Sequence, residues 1–286
     1  MSTAIPVSDH DSKQETELEN LETDLLLEAV FRHYGYDFRE YARASLKRRV
    51  HTMMRNEHVR TISGLIELLL HDRTAFNRFL LVLSVNVTSV FRDPEFFLAF
   101  RRLVVPMLRT YPFVRIWHAG CSTGEEVYSM AILLHEEGLY DKCRLYATDM
   151  DDAVLKQAGK GIFPLESADQ YALNYQRAGG TRELTEYYTG GYGHGIFRAS
   201  LRENVVFSQH NLAMDRSFNE FNVILCRNVM IYFTKQLQHR VHDLLFESLA
   251  TFGVLGLGAK ETIQFSPHER DYEQIEPGSK LYRKIA

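Results

Sequence analysis

The chain is poor in cysteine, with three in 286 residues, Cys121, Cys143 and Cys226. They form no Cys-x-x-Cys pair and have no histidine at metal-ligand spacing, which excludes a disulfide framework and a cysteine-based metal centre. An odd count at such spacing points to the reduced thiols of a cytoplasmic protein. Long apolar runs are also missing. No stretch reaches the roughly 18 residues a membrane-spanning helix needs, so no direct membrane insertion is expected. The N-terminus has no basic start followed by an apolar run, which argues against a secretory signal. Nor is there an excess of positive charge. A formal net charge of -4 excludes a general nucleic-acid binder, which would be strongly basic.

What is present suits a soluble globular chain. Hydrophobic residues make up 45% and charged residues 24%, enough for one sizeable core and a smaller companion domain. Charge is unevenly spread. Residues 1–28 carry eight acids against Lys13 alone, whereas residues 39–60 carry seven bases against Glu40 and Glu57. On a helix, Arg39, Arg43 and Lys47 would share one face and form a basic surface.

The polar segment 1–18 has nothing to bury and is expected to be a disordered acidic tail. Apolar residues recur at helical spacing from Leu21 (Leu25, Leu26, Ala29, Val30), and three more helical patterns follow, about 38–55, from Ser63, and about 74–83. Residues 19–84 therefore read as a helical N-terminal domain and 85–112 as a connecting segment. After Pro112 the pattern changes. The run Val114–Ala119 reads as a buried strand ended by Gly120, followed by a helix over about 125–137 and a strand at 144–148. Further strands are expected at 205–207, 221–226 and 254–257, with a helix over about 235–252 and one or two closing strands in 272–285. Strands alternating with helices imply a mostly parallel, Rossmann-like α/β sheet over 113–286. The glycine-rich stretch 187–202 interrupts the rhythm and reads as a small β insertion.

In such a sheet, ligands bind beyond the carboxyl ends of the strands. The first strand is followed by Gly120-Cys-Ser-Thr-Gly-Glu-Glu126. Its glycines allow close backbone approach, but it lacks the GxGxxG spacing of a pyrophosphate grip. Two carboxylates, Glu125 and Glu126, repel phosphate and suit a ligand bearing an ammonium or sulfonium group, which favours S-adenosylmethionine over NAD. The second strand ends at Asp149, placed where nucleotide-binding sheets hold a ribose acceptor. Asp151 fits the role of helix cap. The third strand is followed by His210-Asn211-Leu212 and the fourth by Cys226-Arg227-Asn228. Polar side chains at four successive strand ends converge on one crevice. His118, His210 and His239 have no triad partner or metal spacing and read as structural.

Several of these motifs carry a resemblance. WHAGCSTGEEVYSMAI, ATDMD, FNVILCRNVMIYF and the segment Asn86-Val-Thr-Ser-Val-Phe-Arg-Asp93 resemble the CheR family of chemotaxis receptor methyltransferases, over nearly the whole chain past residue 20. The resemblance implies an all-helical domain preceding a Rossmann-like, S-adenosylmethionine-dependent methyltransferase domain with a β insertion. It places Asn86 and Thr88 against the cofactor, and Arg92 facing both the cofactor and an incoming carboxylate. Glu125 or Glu126 falls near the methionine amino group, Asp149 at the ribose, and Asn211 with Leu212 near the adenine. Gly120, Arg227 and Asn228 line the cofactor, and Tyr232 stands at the methyl-transfer end. Val90, Val127 and Thr234 depart from the usual pattern at positions not expected to touch the cofactor. The Tyr188–Gly195 stretch does not match the insertion with which some members dock a receptor's C-terminal peptide, so a member working without that tether is expected.

The implied reaction esterifies glutamate side chains of chemotaxis receptors and releases S-adenosylhomocysteine, with no metal. A glutamate of pKa about 4.3 is ionised near neutrality, so catalysis reduces to positioning its oxygen behind the methyl carbon. Arg92 suits the orienting role and Tyr232 that of a hydroxyl donor or channel wall. The expected partner is the cytoplasmic helical domain of a methyl-accepting receptor, steered by Arg39, Arg43 and Lys47, with the enzyme a cytoplasmic monomer. Competing readings are a cofactor-binding sensor without catalysis, a methyltransferase for another substrate, and an NAD-dependent oxidoreductase. The absent GxGxxG and the doubly acidic turn count against the last of these.

Overall fold

A computed structural model describes residues 9–84 and 88–285, and its backbone separates into two units that divide after Val85. The first unit holds four helices, α1 (Asp9–Tyr34), α2 (Arg43–Asn56), α3 (Ile62–His71) and α4 (Arg73–Leu83). Helix α1 begins at Asp9, so residues 9–18 are helical where a disordered tail was expected. The next acid along the helix is tied across the unit. Glu19 accepts from Lys47 at 3.0 Å and lies 2.7 Å from His51. The core is formed by Leu26, Leu27, Val30, Leu46, Val50, Met53, Leu65, Phe76 and Phe79, all essentially without exposure. Thr61 caps α3 and Asp72 caps α4 through side-chain oxygens that accept first-turn amides.

The expected basic face takes a different form. Helix α2 begins at Arg43, so Arg39 lies in the preceding turn and not on the helix. Asp37 holds it there, accepting from both its backbone amide and its guanidinium. All three bases are paired within the unit: Arg39 with Glu28 and Asp37, Arg43 with Asp24, and Lys47 with Glu19. Acids of α1 thus pair three bases of the run that follows it.

In the second unit, Pro94–Ala99 (α5) continues through a π-helical turn at Phe100–Val104 into α6 (Val105–Leu108). Then come β1 (Val114–Ala119), α7 (Glu125–Glu136), β2 (Cys143–Asp149), α8 (Asp152–Lys160), β3 (Ile162–Pro164) and α9 (Ala168–Arg177). The remaining elements are β4 (Tyr188–Gly191), β5 (His194–Phe197), β6 (Val205–Gln209), β7 (Phe221–Cys226), α10 (Lys235–Ser248), β8 (Leu249–Leu257), β9 (Tyr272–Gln274) and β10 (Leu281–Lys284). Seven strands form one sheet in the order β6-β2-β1-β7-β8-β10-β9. The first five are mutually parallel, and β10 and β9 close the edge antiparallel.

Helix α7 is buried from Val127 to Leu134 without interruption, which suits a helix enclosed by its surroundings and not one with a solvated face. Helix α10 ends four residues before expectation, and β8 starts at Leu249. Leu249 pairs with Phe221 ahead of a register shift, and Phe252 takes a left-handed φ of 65°, so the chain turns into the sheet early. The insertion is also larger than the 187–202 stretch. Strand β3 pairs with β5, and β5 with β4, so the small sheet starts at Ile162 and encloses α9. Phe163 and Phe197 stack at 4.3 Å in its interior, and Tyr128 of α7 stacks on Phe197 at 4.3 Å. Among the described residues, no helix is long and apolar enough to cross a membrane.

Candidate active site at the β1 and β7 strand ends

The sheet order fixes where a ligand can sit. From β1 the chain proceeds to β2 on one side, and from β7 to β8 on the other, so the topology reverses between β1 and β7. Loops leaving those two strands diverge and open a crevice at their carboxyl ends.

On the β1 side, the amides of Gly120 and Cys121 both donate to the Thr148 carbonyl at 2.8 Å, which folds the turn back over β2. Gly120 has φ 81°, and a Cβ there would lie 2.5 Å from Val229 Cγ2. Only glycine fits both the backbone conformation and the space. Gly120→Ala is expected to lower stability by about 1–3 kcal/mol through the left-handed backbone alone, before Val229 is displaced. Urea unfolding measures this, and an unchanged midpoint would refute it.

Asp149 braces the same turn from β2. One carboxylate oxygen accepts from Ser122 N at 2.9 Å and the other from Asp151 N at 3.1 Å. It is buried, and desolvation pushes its carboxyl above the ordinary value despite these amides. The Met150 amide adds a third backbone hydrogen bond to the same carboxylate. Asp151 caps α8, accepting from Ala153 N at 2.8 Å.

The two acids of the turn differ sharply. Glu126 lies 2.8 Å from Arg227 Nη1 and 3.0 Å from His118 Nδ1. Burial alone would raise its carboxyl, but the Arg227 charge and the His118 contact outweigh that and hold it at about 2. Glu125 accepts from the Thr123 hydroxyl, at 2.7 Å, and from its own backbone amide, and has no basic partner among the described residues. Desolvation raises its carboxyl.

Arg227, at the end of β7, joins three segments. It pairs with Glu126 of α7 and, at 2.9 Å, with Asp93, and it donates to the Arg92 carbonyl at 3.3 Å. Its guanidinium lies 4.0 Å from the Phe96 ring centroid. Its Nε is buried and has no hydrogen-bond partner among the described residues. Arg92 itself is half-buried, and the loop around it is held by Phe91 N, which donates to Ser129 Oγ at 2.8 Å. Glu95 of the next helix pairs with Arg177.

Glu261, in the loop after β8, is the residue sequence reading missed. Its carboxylate accepts from Asn228 N at 2.8 Å, Val229 N at 2.9 Å, Met230 N at 2.8 Å and Gly258 N at 2.7 Å. A signal was present, an acid four residues after the apolar run ending at Leu257. The rule of reading each strand end applies to β8 as it does to the four strands before it.

The other expected residues fall around this centre. Asn211 and Leu212 follow β6, and His210 N ties that loop to the Asp149 carbonyl at 3.1 Å. Asn211 Oδ1 accepts from Ala213 N at 3.0 Å. Tyr232, half-buried, ends the short helical turn Met230–Tyr232 that the Glu261-bound amides begin. Thr88 is half-buried, and Asn86 lies outside the described residues. Left-handed backbone at residues other than glycine gathers here, at Phe91, Asp93, Ser122 and Asn228. Such conformations cost energy and persist where surrounding contacts over-determine them.

The same residues carry the similarity to known proteins. Residues 21–84 match the family model described as the CheR methyltransferase all-alpha domain, and residues 86–279 match that of its SAM-binding domain. A Pseudomonas putida protein provisionally named methyltransferase Cher3 is 47% identical over 93% of this chain and 97% of its own length. The Listeria monocytogenes chemotaxis protein methyltransferase is 30% identical over 85% of this chain and 92% of its own. Chemotaxis protein methyltransferase 2 of Pseudomonas aeruginosa is 34% identical over 66% of this chain and 68% of its own. With both of its units matched and its strand-end loops in place, this chain belongs to the CheR methyltransferase family.

Proposed function

We propose that the protein methylates glutamate carboxylates on the cytoplasmic helices of chemotaxis receptors, using S-adenosylmethionine. The observation that carries this reading is the arrangement at the switch point: a glycine turn that admits close approach, beside a buried carboxylate, Glu125, without a basic partner among the described residues. A desolvated anion is stabilised by a cation brought to it, which an amino-acid ammonium or a sulfonium provides and a phosphate does not. When bound, S-adenosylmethionine supplies an electrophilic methyl on a sulfonium sulfur.

The chain's own groups then have distinct tasks. Glu125, not the ion-paired Glu126, is assigned the cationic methionine end. Asp149 is assigned the ribose hydroxyls, Asn211 and Leu212 the adenine, and Gly120, Asn228 and Thr88 the walls. Arg227 contributes at most its Nε–H and one N–H of Nη1, since its other three N–H groups hold Glu126, Asp93 and the Arg92 carbonyl. Arg92 is assigned the acceptor carboxylate, which it can orient by paired charge-assisted hydrogen bonds, and Tyr232 lines the path of the methyl. No base is required, because the acceptor is already ionised. Arg39, Arg43 and Lys47 can steer a receptor only by exchanging their acids on α1 for acids of the partner.

The first test is calorimetric titration of the full chain with S-adenosylmethionine and S-adenosylhomocysteine. One-to-one binding is expected, weakened at least tenfold by Asp149→Ala. The second is transfer of a labelled methyl to the cytoplasmic fragment of a receptor. A methyl ester is released as methanol in mild alkali, so base-stable label would assign the enzyme a different acceptor chemistry.

A further inference from the structure

We propose that Glu261 is a positioning residue of the methyl-transfer site, holding the loop at the end of β7 in the conformation that presents Asn228 and Tyr232. The inference rests on the cofactor-site reading above and deepens it.

Three consecutive backbone amides, those of Asn228, Val229 and Met230, converge on the two carboxylate oxygens of Glu261, and Gly258 N supplies a fourth donor. Successive N–H groups turned to one side form a concavity for an anion. Here the protein fills that concavity with its own carboxylate, delivered from the neighbouring strand. The approach is close enough to dictate a glycine. A Cβ on Gly258 would lie 2.6 Å from Glu261 Oε2 and 2.8 Å from Asn228 N. Lys280 fixes the backbone of Glu261 itself, its Nζ donating to the Glu261 carbonyl at 2.8 Å.

The loop needs such a brace. Asn228 has a left-handed φ of 63°, and three amides pointing one way repel one another without an acceptor. With Glu261 in place, the turn Met230–Tyr232 starts from amides that are already satisfied, and the free enzyme holds the site in its working form. Ordering completed on folding does not have to be repeated on binding, so removal of the brace should appear in ligand affinity as well as in stability.

The test uses the full chain, with S-adenosylhomocysteine as the probe in calorimetry. Glu261→Ala is expected to bind it at least tenfold more weakly than wild type. Formate is small enough to enter the vacated concavity and should recover most of that loss, whereas bulky gluconate at the same ionic strength should not. Glu261→Gln keeps the side-chain volume but turns one acceptor into a donor. It should lose affinity in the same direction and show no recovery with formate, because the concavity is still filled. Alanine-variant affinity within twofold of wild type would overturn the proposal, as would formate raising the Tm without moving affinity. If the alanine variant does not fold, the glutamine variant decides alone, and affinity within twofold of wild type overturns the proposal. Failure of the wild-type protein to bind would instead remove the cofactor-site reading.

Discussion

Arg227→Ala is expected to destabilise the methyltransferase unit by about 3–5 kcal/mol, the cost of removing one member of a buried ion pair and leaving the other. The Arg227 side chain is 1% exposed and the Glu126 side chain 18%. Without the guanidinium, Glu126 keeps only the His118 contact, and Asp93 loses its partner. The effect carries a pH signature with a definite sign. Glu126 has a folded value of about 2 against an ordinary 4.5, so its contribution is complete above 4.5 and is lost as pH falls through about 2. In the variant, burial acts without the compensating charge and the carboxyl titrates above its ordinary value. The stability gap between the two proteins is therefore widest near neutrality and narrows as pH is lowered towards 3. Urea unfolding at pH 7 and pH 4 measures it, and a gap independent of pH would show that Glu126 is not the group left uncompensated. Arg227→Met with Glu126→Gln should be less damaging than Arg227→Met alone, since the double replacement leaves no unpaired charge.

The contrast between Glu125 and Glu126 shows where sequence reading stops. Adjacent in the chain and both in the first turn of α7, they are equivalent by position, and either could face a cationic ligand. What separates them is Arg227, about a hundred residues later and brought alongside by the pairing of β7 with β1. The strand ends themselves were legible because each apolar run stops at a residue that cannot continue it, such as Gly120 or Asp149. Arg39, Arg43 and Lys47 were legible as composition and not as paired residues, because their acids lie on α1 and only folding brings them together. Strand β3 was not legible. It has three residues, and its partner β5 comes some thirty positions later, so no local periodicity announces it. Glu261 follows a legible strand end, but its role was not legible. A carboxylate facing four backbone amides has no side-chain partner for a motif to record.

The largest catalytic effect is expected at Arg92. Arg92→Ala should lower kcat/KM for a receptor fragment by about 10²–10³, the loss found when one preorganised donor to the reacting group is removed. The reasoning starts from the acceptor. A glutamate ionised near neutrality needs no deprotonation, so the wild-type rate should vary little between pH 6.5 and 8, and what remains is orientation. Arginine presents two parallel N–H groups to a carboxylate, and lysine only a point charge. Arg92→Lys should therefore keep the attraction but lose the angle, recovering KM for the acceptor more than kcat. Stability should change little, since Arg92 is only half-buried and its loop is held by the Arg227 bond to its carbonyl and the Ser129 bond to Phe91. Tyr232→Phe is a useful comparison, because it removes a hydroxyl while keeping the ring that is proposed to line the path. Steady-state kinetics, with unfolding midpoints measured alongside, separate these cases. Full activity in Arg92→Lys would reduce Arg92 to a source of charge, and a loss below threefold in Arg92→Ala would remove it from the reaction.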